Sequence, residues 1–541
     1  VSEEPGASVL VFGHGNFQRL TLFCAQLSLF VTILNGLSHY VSTRNVDHWC
    51  KPPEEYAHLP VAEWKNISVP EDSDGVLGSC TRYEPPLSSP SDNRTEVPCD
   101  GWDYDIERDG TTIVTEFNLV CDRRRLIPML VTAYNAAGAI TLPLAGFAAD
   151  RRGRRPVLAV SVLIQMAALL ASCFSGNLAV YATLRCHIAM AVSASQMTIV
   201  VVLFEVTAAP HRVMFCTLAI AVPVLLAPVT ITVLTKMVSH WVLMQAMVML
   251  PTSLLGVALY PTAESPRWLM VTWKFKKAEW AILWAARMNG LTDFNMVHAE
   301  FCRVKEGVVS QLGFAAKPAA LDIVRSKPMR IRSVVIFGCW FFDYGAYFNI
   351  MVSQMLLTNA TVQMVVWILS LPILVVNYYA MKTWGRRRTL SLNMILLSLL
   401  AASEAALIYL EHPFIFRMVN VAAILVLNVL YVSLFVYTIE LYPTALRCMG
   451  LSGALMFARM GQMTAPVVRD ILGSAPLAMK VLPLAMTGVC MFAFGLLVTL
   501  LPETPALPIT NPLPQAASAR ERTLHSPVQP QSSVQQKFQS P

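Results

Sequence analysis

Long apolar runs broken by short charged stretches set the pattern of this chain. About twelve runs of roughly 20 residues carry few charges, at about 20–41, 126–149, 156–176, 178–204, 213–236, 240–260, 333–355, 362–382, 389–410, 414–438, 446–468 and 478–500. Each is long enough, as a helix, to cross a hydrocarbon core about 30 Å thick. The pattern therefore predicts an all-α membrane protein with twelve transmembrane helices in two six-helix bundles, 20–260 and 333–500. Polar residues gather in the remaining segments. These are an N-terminal segment 1–19, a long loop 42–125 inside the first bundle, a central loop 261–332 and a tail 501–541. The first run begins near residue 20 and lacks a small-residue cleavage site, so it reads as a helix rather than a signal peptide. The chain starts at Val1, and we expect 1–19 to be a truncated leader. The tail is rich in Pro, Ser and Gln and is expected to stay disordered.

Composition removes the soluble alternative. Only 14% of the 541 residues are charged, against roughly 25% in soluble domains, and mean hydropathy is +0.52. So little charge cannot cover the surface of a water-soluble fold.

Arginine placement orients the spans. Asp150-Arg151-Arg152-Gly153-Arg154-Arg155 follows span two and Gly385-Arg386-Arg387-Arg388 follows span eight, so both loops belong on the cytoplasmic side. Both termini are then cytoplasmic and 42–125 lies outside. Arg123, Arg124 and Arg125, just outside span two, oppose this and are outvoted. The outer loop holds Cys50, Cys80, Cys99 and Cys121, expected as two disulfides with three possible connectivities. It also holds two glycosylation sequons, at Asn66 and Asn93; a third, at Asn359, sits on a short outer loop.

The two halves share their charged punctuation. Glu205 and Arg212 recur as Glu440 and Arg447 (440−205 = 235; 447−212 = 235), and Gly153-Arg154-Arg155 recurs as Gly385-Arg386-Arg387 (385−153 = 232). Ala263-Glu264-Ser265-Pro266 is echoed by Pro502-Glu503-Thr504-Pro505 (503−264 = 239). A duplicated six-helix unit suits a carrier whose halves rock around a midplane site. The inner charges Asp150, Arg151, Arg154, Arg155, Glu205, Arg212, Arg386, Arg387, Glu440 and Arg447 are expected to form a cytoplasmic latch, paired when the inner side is closed. Topology anchoring alone would need the arginines but not Asp150, Glu205 or Glu440.

Gly146–Arg155 resembles the signature loop of the major facilitator superfamily. Within it the chain resembles the organic ion transporters, which carry organic cations, organic anions or carnitine. The residues that carry this are His48-Trp49-Cys50-Lys51-Pro52-Pro53, Cys99–Asp105, Thr112–Asp122, Phe17-Gln18 and Glu440-Leu441-Tyr442-Pro443-Thr444, over about residues 12–505. The resemblance implies the major facilitator fold, alternating access and a plasma-membrane location. Two positions depart from it. Lys382-Thr383-Trp384 replaces an acidic residue before the second Gly-Arg-Arg, which implies a weaker second latch. Leu374 stands where anion carriers place a lysine.

An intramembrane charge costs about 2.5–3.5 kcal/mol on insertion scales, so each is a candidate for function. Arg459, mid-span eleven, resembles the anion and carnitine branches and could clamp a carboxylate. Asp343 lies among Trp340, Tyr344 and Tyr347 in span seven, a setting suited to an ammonium group. These five are the expected substrate-binding residues. Arg185 and Arg417 are expected to hold helices together, and Glu404 to be hydrated near the outer end of span nine. Span one carries no Asp or Glu, which favours uniport or exchange over proton coupling. No Gly-x-x-x-x-Gly-Lys, His-Glu-x-x-His or Gly-x-Ser-x-Gly occurs, so no enzyme activity, cofactor or metal is expected. The expected partners are a small organic ion and the bilayer, with no nucleic acid. The leading reading is a carrier of organic anions or zwitterions such as carnitine. The alternatives are a cation carrier using Asp343, a sugar porter and a non-transporting receptor.

Overall fold

The computed structural model describes residues 15–44, 46–70, 78–84, 86, 95–312, 321–357, 360–472 and 477–504. Among them run twelve long helices: α1 (Asn16–Ser42), α2 (Leu126–Arg152), α3 (Arg154–Ser172), α4 (Leu178–Val206), α5 (Arg212–Met237), α6 (Trp241–Ala258), α7 (Lys327–Leu357), α8 (Ala360–Thr383), α9 (Arg386–Tyr409), α10 (Pro413–Leu441), α11 (Arg447–Leu472) and α12 (Leu477–Val498). Helix α7 starts inside the stretch read from sequence as central loop, because its first turns carry Lys327, Arg330 and Arg332 and lack hydropathy. That loop itself folds into short helices, chiefly Phe275–Met288 and Phe294–Leu312.

The bilayer forces this choice of element, since an unpaired backbone group in hydrocarbon costs several kcal/mol. The same pairings recur in each half. Helix α1 packs on α5 as α7 packs on α11, α3 on α4 as α9 on α10, and α3 on α6 as α9 on α12. Helices α4 and α10 are buried along most of their length and form the centre. Helices α3, α9 and α12 turn large apolar side chains outward, among them Leu163, Leu399 and Val489. The halves meet where α2 packs on α11 and where α5 packs on α8 and α10. Contact between α2 and α11 is close at Gly146, where a Cβ would overlap Ser452 and press on the Cys448 carbonyl.

The described residues of the loop 42–125 form a small folded unit. Strand β1 (His48–Cys50) pairs antiparallel with β4 (Trp102–Tyr104), and β2 (Thr81–Glu84) with β3 (Thr95–Pro98). Two disulfides close it, Cys50–Cys99 and Cys80–Cys121. Trp64 is buried beneath the first and donates to the Cys50 carbonyl at 2.8 Å. Ile113, Val114 and Phe117 pack with Tyr181 of α4 and Trp241 of α6, fixing the loop to the bundle. Asn66 is exposed on the helix Val61–Ser68, while Asn93 and Asn359 lie outside the described residues. The disulfides span 49 and 41 residues, worth about 4 kcal/mol each by loop entropy. Replacing Cys50 and Cys99 together by Ser is expected to cut the surface-expressed, detergent-stable fraction severalfold. Fluorescence size-exclusion chromatography checks this.

Candidate functional site

The helix ends opposite the disulfide-closed loop build the first cluster. Glycine is required at 153 and 385 because both sit at positive φ, +123° and +96°, where α2 hands over to α3 and α8 to α9. The chain reversal leaves the first amides of α3 and α9 without helical partners. A carboxylate meets each set. Glu264 accepts from the Arg154 and Arg155 amides at 3.0 and 3.1 Å, and Glu503 from the Arg386 and Arg387 amides at 2.7 and 3.3 Å. Burial raises the Glu264 carboxyl above its ordinary range, offset in part by the Ser265 amide and the Arg154 charge.

Glu205, fully buried at the end of α4, joins the halves. It accepts from Arg154 at 3.2 Å and from Arg447 of α11 at 2.9 Å. Arg154 also meets Asp150 at 3.1 Å and donates to the Thr444 carbonyl at 2.8 Å, while Asp150 accepts from the Met449 amide at 2.9 Å. Arg447 and Arg212 both lie over the Phe204 ring, at 4.8 Å. In the second half Glu440 meets Arg386 at 3.3 Å and accepts from Thr504 at 2.6 Å, and Arg387 meets Glu503 at 3.7 Å. These second contacts close within the C-terminal half, so the two sets are not equivalent. Three further expected members, in the N-terminal half, also stay outside the crossing set. Arg151 is exposed over Phe147 of its own helix. Exposed Arg155 donates to the Tyr260 carbonyl, and Arg212 donates to the Thr207 carbonyl. All three point back into the N-terminal half.

A cavity of about 140 Å³ lies between the halves. Its charged lining residues are Arg459 and Asp343, with Tyr344 and Tyr347 of α7, Tyr134 of α2 and Tyr431 of α10 around them. Arg459 donates to Asn135 at 3.1 Å and Ser193 at 3.3 Å, which aims its guanidinium across the domain interface from α11 to α2 and α4. Asp343 is 2% exposed, and among the described residues its Oδ1 accepts no hydrogen bond. Among the described residues no Asp343–Arg459 ion pair forms within 4 Å. Gln196 of α4 donates to Tyr431 at 3.2 Å, a second polar link between the halves.

The structure places three residues, Trp340, Arg417 and Glu404, otherwise than expected. Trp340 does not line the cavity; it is fully buried one layer behind, donating to Thr438 at 2.9 Å and packing edge-on against Tyr431 and Phe435. Arg417 is exposed in the first turns of α10 and is no interhelical clamp. Glu404 is 1% exposed and faces Asn420 of α10 rather than water. Leu374 is 4% exposed and packed in the core of α8. Arg185 by contrast is buried, donates to the Asn35 carbonyl of α1 at 2.9 Å and lies over Tyr134 at 5.1 Å. Sequence reasoning passed over Asn135, Ser193, Gln196 and Tyr431, and it noted Glu264 and Glu503 only as repeat punctuation.

Comparison with known proteins agrees with this architecture. The family model described as sugar (and other) transporter matches residues 102–511. The beta-alanine transporter of Drosophila melanogaster is 26% identical over 499 residues, covering 84% of this chain and 79% of that one. Human solute carrier family 22 member 12 is 28% identical, covering 93% and 94%. The structure of the proton:xylose symporter XylE superposes with a TM-score of 0.64 at 15% identity, covering 91% of this chain and 98% of that one.

Proposed function

Because this chain belongs to the sugar (and other) transporter family of the major facilitator superfamily, in its organic ion branch, we propose that its central cavity selects small molecules bearing a carboxylate, zwitterions foremost. The protein transports organic ions by alternating access. The observation that carries the proposal is the pair of opposite charges, Arg459 and Asp343, which line one cavity without pairing to each other. A charge buried in a membrane protein without a counter-ion is costly. A substrate carrying both charges offsets both costs at once. The carboxylate meets the Arg459 fork, bidentate and charge-assisted. The ammonium meets Asp343 and the faces of Tyr344 and Tyr347. The relative named for beta-alanine carries a molecule of this kind.

The arginine-rich loops and the disulfide-closed outer unit support a plasma-membrane carrier with both termini cytoplasmic. Asp150, Arg154, Glu205 and Arg447 form the inner latch in this reading, and Arg386, Glu440 and Arg387 brace the C-terminal half. A second reading has one observation in its favour. Asp343 among tyrosine faces suits a lone organic cation.

Proteoliposome uptake of beta-alanine, carnitine, p-aminohippurate and tetraethylammonium separates the two. Zwitterion or anion uptake is expected to exceed tetraethylammonium uptake. Transport of tetraethylammonium alone would replace the first reading by the second.

A further inference from the structure

A second cavity, of about 450 Å³, opens on the inner face of the N-terminal half. Five exposed cations line it: Arg152, Arg155, Lys274, Lys276 and Lys277. Its one carboxylate, Glu264, already accepts from the amides of Arg154, Arg155 and Ser265. The cavity is therefore strongly positive, and a ligand carrying several negative charges fits it.

Its position selects the kind of ligand. One wall is the first turn of α3, and the following turns of that helix expose Val160, Leu163 and Ile164. Beside it Val257 and Tyr260, at and just past the end of α6, are 73% and 85% exposed. Those side chains are the lipid-facing surface of the bundle, so the cavity lies where that surface ends. Trp280 overhangs it from the helix Phe275–Met288, 58% exposed and stacked on Trp284 at 5.8 Å with the rings 7° apart. Ala281 lines the cavity beside it, and the opposite side of that helix is buried through Ala278, Ile282 and Ala285. Tryptophan at the bilayer interface beside a basic pocket is the chemistry that retains anionic headgroups.

We infer that this pocket binds the phosphorylated inositol headgroup of an anionic membrane lipid. The cations meet the phosphates, Trp280 lies at headgroup level, and the acyl chains run up the exposed faces of α3 and α6. Arg152 and Arg155 flank Gly153 and Arg154, so the bound headgroup holds the same chain reversal that supplies Arg154 to Glu205. The inference rests on the inner face being cytoplasmic, where such lipids reside.

The test uses the full chain in phosphatidylcholine nanodiscs, which expose both faces. Binding of phosphatidylinositol 4,5-bisphosphate is read by native mass spectrometry and thermal shift. The parent is expected to bind it in preference to phosphatidylcholine, and Lys274→Gln/Lys276→Gln/Lys277→Gln to bind about 100-fold more weakly. Lys382→Gln/Arg388→Gln, which removes inner-face charge from the other half, is expected to leave binding unchanged. Equal loss in both variants would reduce the effect to bulk electrostatics and overturn the site. So would soluble inositol trisphosphate binding as tightly as the lipid, or a parent with no preference for the anionic lipid.

Discussion

Replacing Glu205 by Gln is expected to open the inner face of the carrier. Glu205 is fully buried and serves two guanidiniums, Arg154 at 0% side-chain exposure and Arg447 at 8%. A neutral amide of the same shape keeps the packing but leaves both arginines without their shared charge. Breaking a buried pair in this way costs about 3–5 kcal/mol. In the proposed latch the cost falls on the closed state, because Arg447 would depart with the C-terminal half on opening. A shift of that size lowers the closed-to-open ratio by roughly 100-fold or more. The protein supplies its own reporter. Cys448 is fully buried, next to the Met449 amide that Asp150 accepts. In inside-out vesicles a membrane-impermeant maleimide is expected to spare Cys448 in the parent and to label it in Glu205→Gln, with Cys448→Ser identifying the band. Unchanged labelling would mean that these charges only fix topology.

Arg459→Ala is expected to abolish measurable uptake of carboxylate substrates. Hydrogen bonds to a charged group contribute about 1.5–3 kcal/mol each, so loss of a two-pronged contact lowers kcat/KM by roughly 100-fold or more. Arg459→Lys keeps the charge without the planar fork and should fall between parent and Ala. The substituted proteins should reach the surface normally, since Arg185 still ties α4 to the Asn35 carbonyl. Initial-rate uptake normalised to surface protein measures both effects. Full carboxylate transport by Arg459→Ala would remove arginine from the site.

The architecture was legible because hydrocarbon admits few structures and because the chain repeats its own punctuation. Glu205 and Arg447 stood out as charges at helix ends, and recurrence in the other half made them latch candidates; the fold brings the two together. The polar groups that aim Arg459 carried no such mark. Asn135 and Ser193 sit singly inside apolar runs, and only the folded approach of α2 and α4 to α11 makes them partners. Trp340 misled for a related reason. It shares a helical face with Tyr344 and Tyr347, but its indole is buried behind the cavity, where it donates to Thr438 of α10. Arg417 was expected to hold helices together and Glu404 to be hydrated. Burial separates them: Arg417 is exposed, and Glu404 is enclosed against α10. The asymmetry of the latch was half visible. Lys382-Thr383-Trp384 lacks the acid that Asp150 supplies in the first half, and the contacts of Arg386 stay within their own bundle.

In the proposed carrier Asp343 and Arg459 divide one substrate between them. The decisive measurement compares Asp343→Asn with the parent for uptake of beta-alanine and of propionate, the same chain without the ammonium. The account predicts that the variant loses beta-alanine transport at least about tenfold while propionate transport holds or rises, because the neutral amide no longer repels a lone carboxylate. A variant that carries both as the parent does, or loses both equally, would contradict it.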